Sequence, residues 1–121
     1  MNNENPIKDK SFEFAVRIVN LYNYLCNVKK ETIMSKQVFR SGTSIGANIC
    51  EGLQGSSTAD FVAKFSISLK EACETDYWLR LLHRTGYLDD NSFSSLSYEC
   101  QELIKMLTAI IKKSKNNNAD N

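Results

Sequence analysis

The sequence is poor in the residues that interrupt or catalyse: it has one proline, five glycines and one histidine in 121 residues. So few breakers exclude a many-turned β fold and favour a few long helices. The sole histidine, His83, leaves no base for a Cys-His nucleophile pair except by tertiary accident. Four cysteines occur, Cys26, Cys50, Cys73 and Cys100, and none forms a Cys-x-x-Cys pair. Structural zinc sites use closely spaced pairs. The cysteines therefore read as small buried apolar side chains in a reducing cytosol, with no metal or cofactor expected. No apolar run reaches the ~18 residues of a membrane span. The first ten residues lack an apolar signal core, so a cytoplasmic location is expected. An excess of either charge is missing too: Lys+Arg 15 against Asp+Glu 14 leaves a net +1. A bulk polyelectrolyte binder is far more basic. Any contact with nucleic acid must arise from the placement of charges on helix faces, multiplied by assembly.

What is present is enough for one packed domain: 42% hydrophobic and 24% charged residues. Residues 1–10 and 114–121 read as loose tails. A first helix is predicted over 11–29, with Ser11 as its cap. Two adjacent apolar stripes run along it, Phe12, Ala15, Val19, Tyr22, Cys26 and Phe14, Ile18, Leu21, Leu25. Thr32 and Ser35 are cap candidates for a second helix over 36–54, whose inward stripe is Val38, Gly42, Ile45, Ile49 and Leu53. Gly42 and Gly46 each cost ~1 kcal/mol against alanine inside a helix. They mark either a close approach of another backbone or a local break. Opposite the core lie Arg40, Ser44, Ala47 and Glu51, which either admit a neighbouring subunit or form ordinary solvated surface. Ser57 with Asp60 resembles a capping box for a third helix over 58–85, which Gly86 stops. Asp89 or Asp90 caps a fourth over 90–113, with a clean 3,4,3,4,3 stripe of Phe93, Leu96, Cys100, Leu103, Leu107 and Ile110. Short connections make neighbours antiparallel. The expected fold is all-α, an up-down-up-down left-handed four-helix bundle.

The third helix carries more apolar surface than one seam needs. Phe61, Phe65, Leu69, Ala72 and Leu79 project to one side, with Asp76 close by; if buried, that carboxylate needs an arginine or hydroxyl partner. Ile67, Trp78, Leu81 and Leu82 project elsewhere, together with Glu71 and Glu74. This second patch either mediates self-association or fills a wider core within one chain. A third stripe holds Lys70, Cys73, Tyr77, Arg80 and Arg84. Cations interleaved with an aromatic hold phosphates and stack a base, or simply form a solvated face.

Enzyme chemistry is not visible. Glu71 and Glu74 stand at i, i+3, but the carboxylate metal sites of bundles also need Glu-x-x-His motifs, and none occurs. Gly42 to Gly46 is not followed by Gly-Lys-Ser/Thr, so it is no phosphate loop. The chain reads as a non-enzyme with no catalytic residues.

Two runs are distinctive: Phe39-Arg40-Ser41-Gly42-Thr43-Ser44-Ile45-Gly46-Ala47-Asn48-Ile49-Cys50-Glu51-Gly52, and Asp60-Phe61 followed by Leu69-Lys70-Glu71-Ala72-Cys73-Glu74-Thr75-Asp76-Tyr77-Trp78-Leu79. Both resemble the small bacterial four-helix-bundle family encoded in intervening sequences of large-subunit ribosomal RNA genes, sometimes labelled ribosomal-protein-like. The resemblance spans about Phe12 to Lys113. It implies the same bundle, a ring-like homo-pentamer and no established enzymatic activity; a ribosomal RNA role is inferred from gene location. A related branch, accessory proteins of diversity-generating retroelements, is associated with a reverse transcriptase and nucleic acid through basic surface. The near-neutral charge here departs from that branch, and Cys50 stands where alanine is commoner. Motif positions match at Arg40, Ser44, Asn48, Glu51, Gly52, Glu71 and Glu74. A structural role is expected for them, with Asn48 bonding between helices and Arg40 pairing with a glutamate within or across subunits.

Two functions follow as expectations. One is a self-assembling bundle that binds structured, ribosomal RNA through Arg17, Lys29, Lys30, Lys36, Arg40, Lys70, Tyr77, Arg80 and Arg84. The other is a protein-interaction scaffold or accessory subunit for a nucleic-acid enzyme such as a reverse transcriptase. The interface expected for self-association is Ile67, Glu71, Glu74, Trp78, Leu81 and Leu82.

Overall fold

The computed structural model describes residues 5–119. The parts of the two expected tails at 1–4 and 120–121 lie outside the described residues. Four α-helices follow one another: α1 (Pro6–Asn27), α2 (Met34–Leu53), α3 (Thr58–Arg84) and α4 (Asp90–Ala119). Each packs against its sequence neighbours, and α4 returns to α1. The helices thus close a ring, with α1 facing α3 and α2 facing α4 only across the core.

Capping chemistry sets the helix starts, and it differs from the expectation at two of them. α1 begins at Pro6, not Ser11, because a proline at the first turn costs no intrahelical bond and Asn5 accepts from Lys8 N. Ser11 lies buried inside the helix, its hydroxyl donating to Lys8 O at 3.0 Å. α2 is capped neither by Thr32 nor by Ser35. Lys30 takes a left-handed backbone (φ 59) and Glu31 N bonds back to Leu25 O. This turn puts the Glu31 carboxylate over the start of α2, where it accepts from the backbone N–H of Ile33, Met34 and Ser35.

α3 starts as expected, with Ser57 accepting from Asp60 N at 3.1 Å. The reciprocal half of the box is absent: Asp60 instead accepts from the Ser56 hydroxyl. At its other end Gly86 (φ 90) allows Gly86 N to reach His83 O and Tyr87 N to reach Leu82 O, the pair of bonds of a Schellman stop. Asp89 caps α4 through Ser92 N at 2.8 Å. α4 runs on to Ala119, so the lysines expected at its end, Lys112 and Lys113, stand inside it.

The core is built from Phe14, Ile18, Leu21 and Leu25 of α1, Val38, Ile45 and Ile49 of α2, Phe65, Ala72, Leu79 and Leu82 of α3, and Leu96, Cys100, Leu103 and Leu107 of α4. The first of the two α1 stripes is therefore not core: Phe12 and Val19 are exposed. Leu53 also faces out. Of the cysteines only Cys100 is buried; Cys50 and Cys73 are exposed and Cys26 is intermediate, contrary to the expectation for all four.

Glycine explains how α2 sits so near its neighbours. A Cβ on Gly42 would fall 2.8 Å from Ile18 Cγ1, and one on Gly52 would fall 2.7 Å from the Phe65 ring. Both are close approaches within the chain. Hydroxyls complete the α2/α3 seam: Ser41 and Thr75 lie 2.9 Å apart, and Ser68 donates to Ile45 O at 2.8 Å. Buried polar groups satisfied in this way cost little and fix the register of the two helices.

Candidate functional site

The motif residues converge on the α2/α3 surface. Arg40 leaves α2 and meets α3, its Nη1 3.4 Å from Glu71 Oε1 and its Nη2 on Glu74 Oε2. Trp78, one turn on, donates Nε1–H to the same Glu74 oxygen at 2.9 Å. Arg40 thus pairs with glutamates of its own chain. Its guanidinium is half exposed, so the cluster is worth at most ~1 kcal/mol and acts chiefly as a pin between helices. A second pin, Lys64 to Glu51 at 2.9 Å, lies further along the same seam. Asn48 does not bridge helices: its Nδ2 donates to Ser44 O of α2 at 2.9 Å. Ser44 likewise donates to Arg40 O. Gly52 is the contact point for the Phe65 ring. The motif is thus packing and pairing within one chain.

The expected α3 interface is largely absorbed by the bundle. Leu82 is fully buried in the core and offers nothing to another subunit. Trp78 packs against the core, Leu81 is intermediate, and Ile67 is exposed. The projection misplaced Leu82 because Ser68 and Thr75 turn inward and rotate the buried face of α3 towards it.

A further apolar surface, apart from the interface expected on α3, lies along α1 and α2. Phe12 (65%), Val16 (41%), Val19 (38%) and Phe39 (37%) are exposed there. Tyr22 and Phe39 join the two helices, ring centroids 4.9 Å apart. Beside them Phe12, Ala15, Thr43, Gly46, Ala47 and Cys50 line a groove of about 440 Å³. The signal was the stripe of α1 that holds Phe12 and Val19, apolar and outside the core.

The cations divide into two groups. Arg17 is held across the α1/α4 seam by Glu99 at 2.8 Å and by the Ser95 hydroxyl. With Arg40 it belongs to the internal pairing. The others are on the surface. Up-down topology carries Lys29, Lys30 and Lys36, at the α1–α2 connection, to the same end of the bundle as Arg80 and Arg84 of α3. Among the described residues Lys30, Lys36, Lys70 and Arg84 make no ion pair, and all are exposed. The carboxylates at this end are engaged: Glu31 on backbone N–H groups, Asp89 on Ser92, and Asp90 on His83 Nε2 at 2.7 Å. Backbone bonding to Ser92 holds the Asp89 carboxyl below its usual range, with the Lys29 charge assisting. Asp76 finds its partners in Arg80 Nε at 3.2 Å and Gln101 at 3.0 Å. The stripe Lys70, Cys73, Tyr77, Arg80, Arg84 is exposed along its whole length.

Among the described residues no group of three potential metal ligands converges, and no helix is long and apolar enough to cross a membrane.

A closed ring of four antiparallel helices, pinned by an arginine–glutamate cluster and basic at one end, defines a small all-α bundle protein. The chain belongs to the 23S rRNA-intervening sequence protein family, whose model matches residues 3–109. It is similar to a crystal structure, at 1.70 Å, of a protein of unknown function from the S23 ribosomal protein family of Bacteroides thetaiotaomicron VPI-5482. The two share 57% identity over 88% of this chain and 95% of that one, with a TM-score of 0.86. No curated protein matches the chain.

Proposed function

We propose that the chain is a non-enzymatic, self-assembling bundle that binds structured RNA, ribosomal RNA in the first instance, through basic side chains repeated around the assembly. The observation that carries this reading is the division of the cations. Arg17 and Arg40 are used up in pinning helices, whereas Lys29, Lys30, Lys36 and Arg84 gather at one end and face solvent. With a net charge of +1, one subunit is a weak polyanion binder. Several such ends held in one particle bind in concert, because each later contact is intramolecular.

The surface that joins the subunits is the α1/α2 face of a second copy. Its centre is apolar, with Phe12, Val16, Val19 and Phe39 exposed there. Stable interfaces cover ~800 Å² per partner, with polar rims around such centres. Lys8, Asp9 and Glu13, of both signs, border the groove and supply that rim.

Filter binding of ribosomal RNA across a salt series, with light scattering on the same sample, tests the reading. Retention at about 50 mM salt that falls steeply as salt rises is expected, from a particle several times 13.7 kDa. No retention at low salt overturns RNA binding, and a monomeric mass overturns assembly.

A further inference from the structure

The corner between α3 and the start of α4 holds a cleft that the bundle does not need. It is lined by Tyr77, Arg80, Leu81, His83, Arg84 and Phe93 and encloses about 410 Å³. Small-molecule sites begin near ~300 Å³. One wall is a fixed aromatic plate: His83 and Phe93 stack at 4.2 Å with only 5° between their planes. Asp90 holds the His83 ring in place through Nε2. Tyr77 stands at the cleft 50% exposed, its ring and that of Trp78 forming a T-shaped pair at 5.1 Å. Arg80 is tethered to Asp76 through Nε, and among the described residues its two Nη nitrogens make no ion pair. Arg84 makes none at all among the described residues.

A half-exposed aromatic ring followed by two guanidinium groups along the same helix is a nucleotide's chemistry in reverse, a π surface for the base and cations for the phosphates that run on from it. The cleft also lies on a track. Lys70, Tyr77, Arg80 and Arg84 share one solvent-facing stripe of α3, and Lys70 to Arg84 spans ~21 Å at 1.5 Å per residue. That is a few nucleotides of extended strand.

We infer that this corner is a clamp for an unpaired nucleotide of single-stranded RNA, the base lying on Tyr77 and the successive phosphates next to it on Arg80 and Arg84. The inference rests on the RNA-binding reading and sharpens it. Duplex RNA keeps its bases stacked inside the helix and does not enter the cleft.

Fluorescence anisotropy separates the two ideas. The probes are a fluorescein-labelled RNA octamer of mixed sequence and the same octamer annealed to its complement, titrated with the full chain. Tyr77→Ala is expected to weaken octamer binding by about five- to a hundred-fold, the range of one lost base–aromatic stack. Tyr77→Phe keeps the ring and stays within about twofold of the parent, and duplex binding is unchanged by either. Arg84→Ala, which breaks no internal pair, weakens the octamer and lowers the salt slope by about one. Circular dichroism confirms that each variant keeps its helices. Octamer binding that survives Tyr77→Ala but falls with Lys29→Glu and Lys30→Glu overturns the clamp and leaves the RNA reading standing. A parent protein that binds only the duplex also overturns the clamp. One that binds neither probe at about 50 mM salt overturns both.

Discussion

Glu31 Oε1 accepts a 2.7 Å hydrogen bond from the backbone N–H of Ser35, so a residue outside α2 performs the capping that its first residues do not. The same carboxylate takes Ile33 N and Met34 N on its other oxygen. Three of the donors that a helix start leaves unpaired are satisfied by one nearly buried anion, placed where the helix dipole favours negative charge. Removing it strands those donors. Glu31→Ala is expected to destabilise the bundle by about 2 kcal/mol, the scale of a charged capping group. Thr32→Ala is expected to change little. Urea denaturation midpoints of the two variants provide the comparison.

Gly42 and Gly46 separate by what stands over them. Alanine at Gly42 puts a methyl 2.8 Å from Ile18 Cγ1, and that side chain is fully buried. Overpacking of this kind costs about 1–3 kcal/mol, against which alanine regains ~1 kcal/mol of helix propensity. At Gly46 the nearest atom is Ser11 Oγ at 3.3 Å, a contact that a small shift relieves. Gly42→Ala should therefore lower the melting temperature and Gly46→Ala should leave it unchanged or raised. Ile18→Ala, which removes the γ-carbons that the new methyl meets, should cost less in the Gly42→Ala background than in the parent.

The cysteines differ in reactivity because they differ in burial. Burial pushes the Cys100 thiol up to about 12, and its Sγ lies 3.3 Å from Ala72 O in the core. Cys50 and Cys73 are exposed. In native protein at neutral pH, iodoacetamide should modify Cys50 and Cys73 and leave Cys100 intact until the chain is unfolded, as peptide mass mapping would read. Above the usual thiol pKa the unfolded chain releases a proton that folded Cys100 retains. Stability should consequently fall as pH rises from about 9 towards 12.

Asp89 works in the opposite direction. Its carboxyl is lowered in the folded chain, chiefly by the backbone N–H of Ser92. Its contribution is complete above the unfolded carboxyl pKa and is lost as pH falls through the lower folded value. Acid titration of the thermal midpoint should show a decline below about pH 4 that is smaller in Asp89→Asn.

α4 was readable from its pattern because it has one apolar stripe, and Leu96, Cys100, Leu103 and Leu107 are buried as that stripe predicts. α1 was ambiguous for the opposite reason: it carries two stripes, and apolarity alone does not say which one the other helices cover. The core also contains polar residues. Ser11, Ser35, Ser41, Ser68 and Thr75 are buried, and a hydropathy pattern counts each of them as surface. On α3 that error moved Leu82 from the core to an expected interface. At the site, the Arg40–glutamate pairing was legible from the motif, while the plate of His83 on Phe93 was not. It depends on a turn at Gly86 that brings two helix ends face to face.

The ring of helices has one seam unlike the others. α1/α2, α2/α3 and α3/α4 each join elements adjacent in the chain, whereas α1/α4 joins its two extremes and is the most thinly packed. Its cross-links include the ion pairs Arg17–Glu99 and Lys10–Glu102, which are open to water and weakened by salt. Contacts in the other three seams close short loops, so folding is expected in the microsecond-to-millisecond range of helical bundles. The α1/α4 seam closes the largest loop and gains least on closing. It is expected to act as the latch of the bundle, the last contact made as the chain folds and the first released when it breathes.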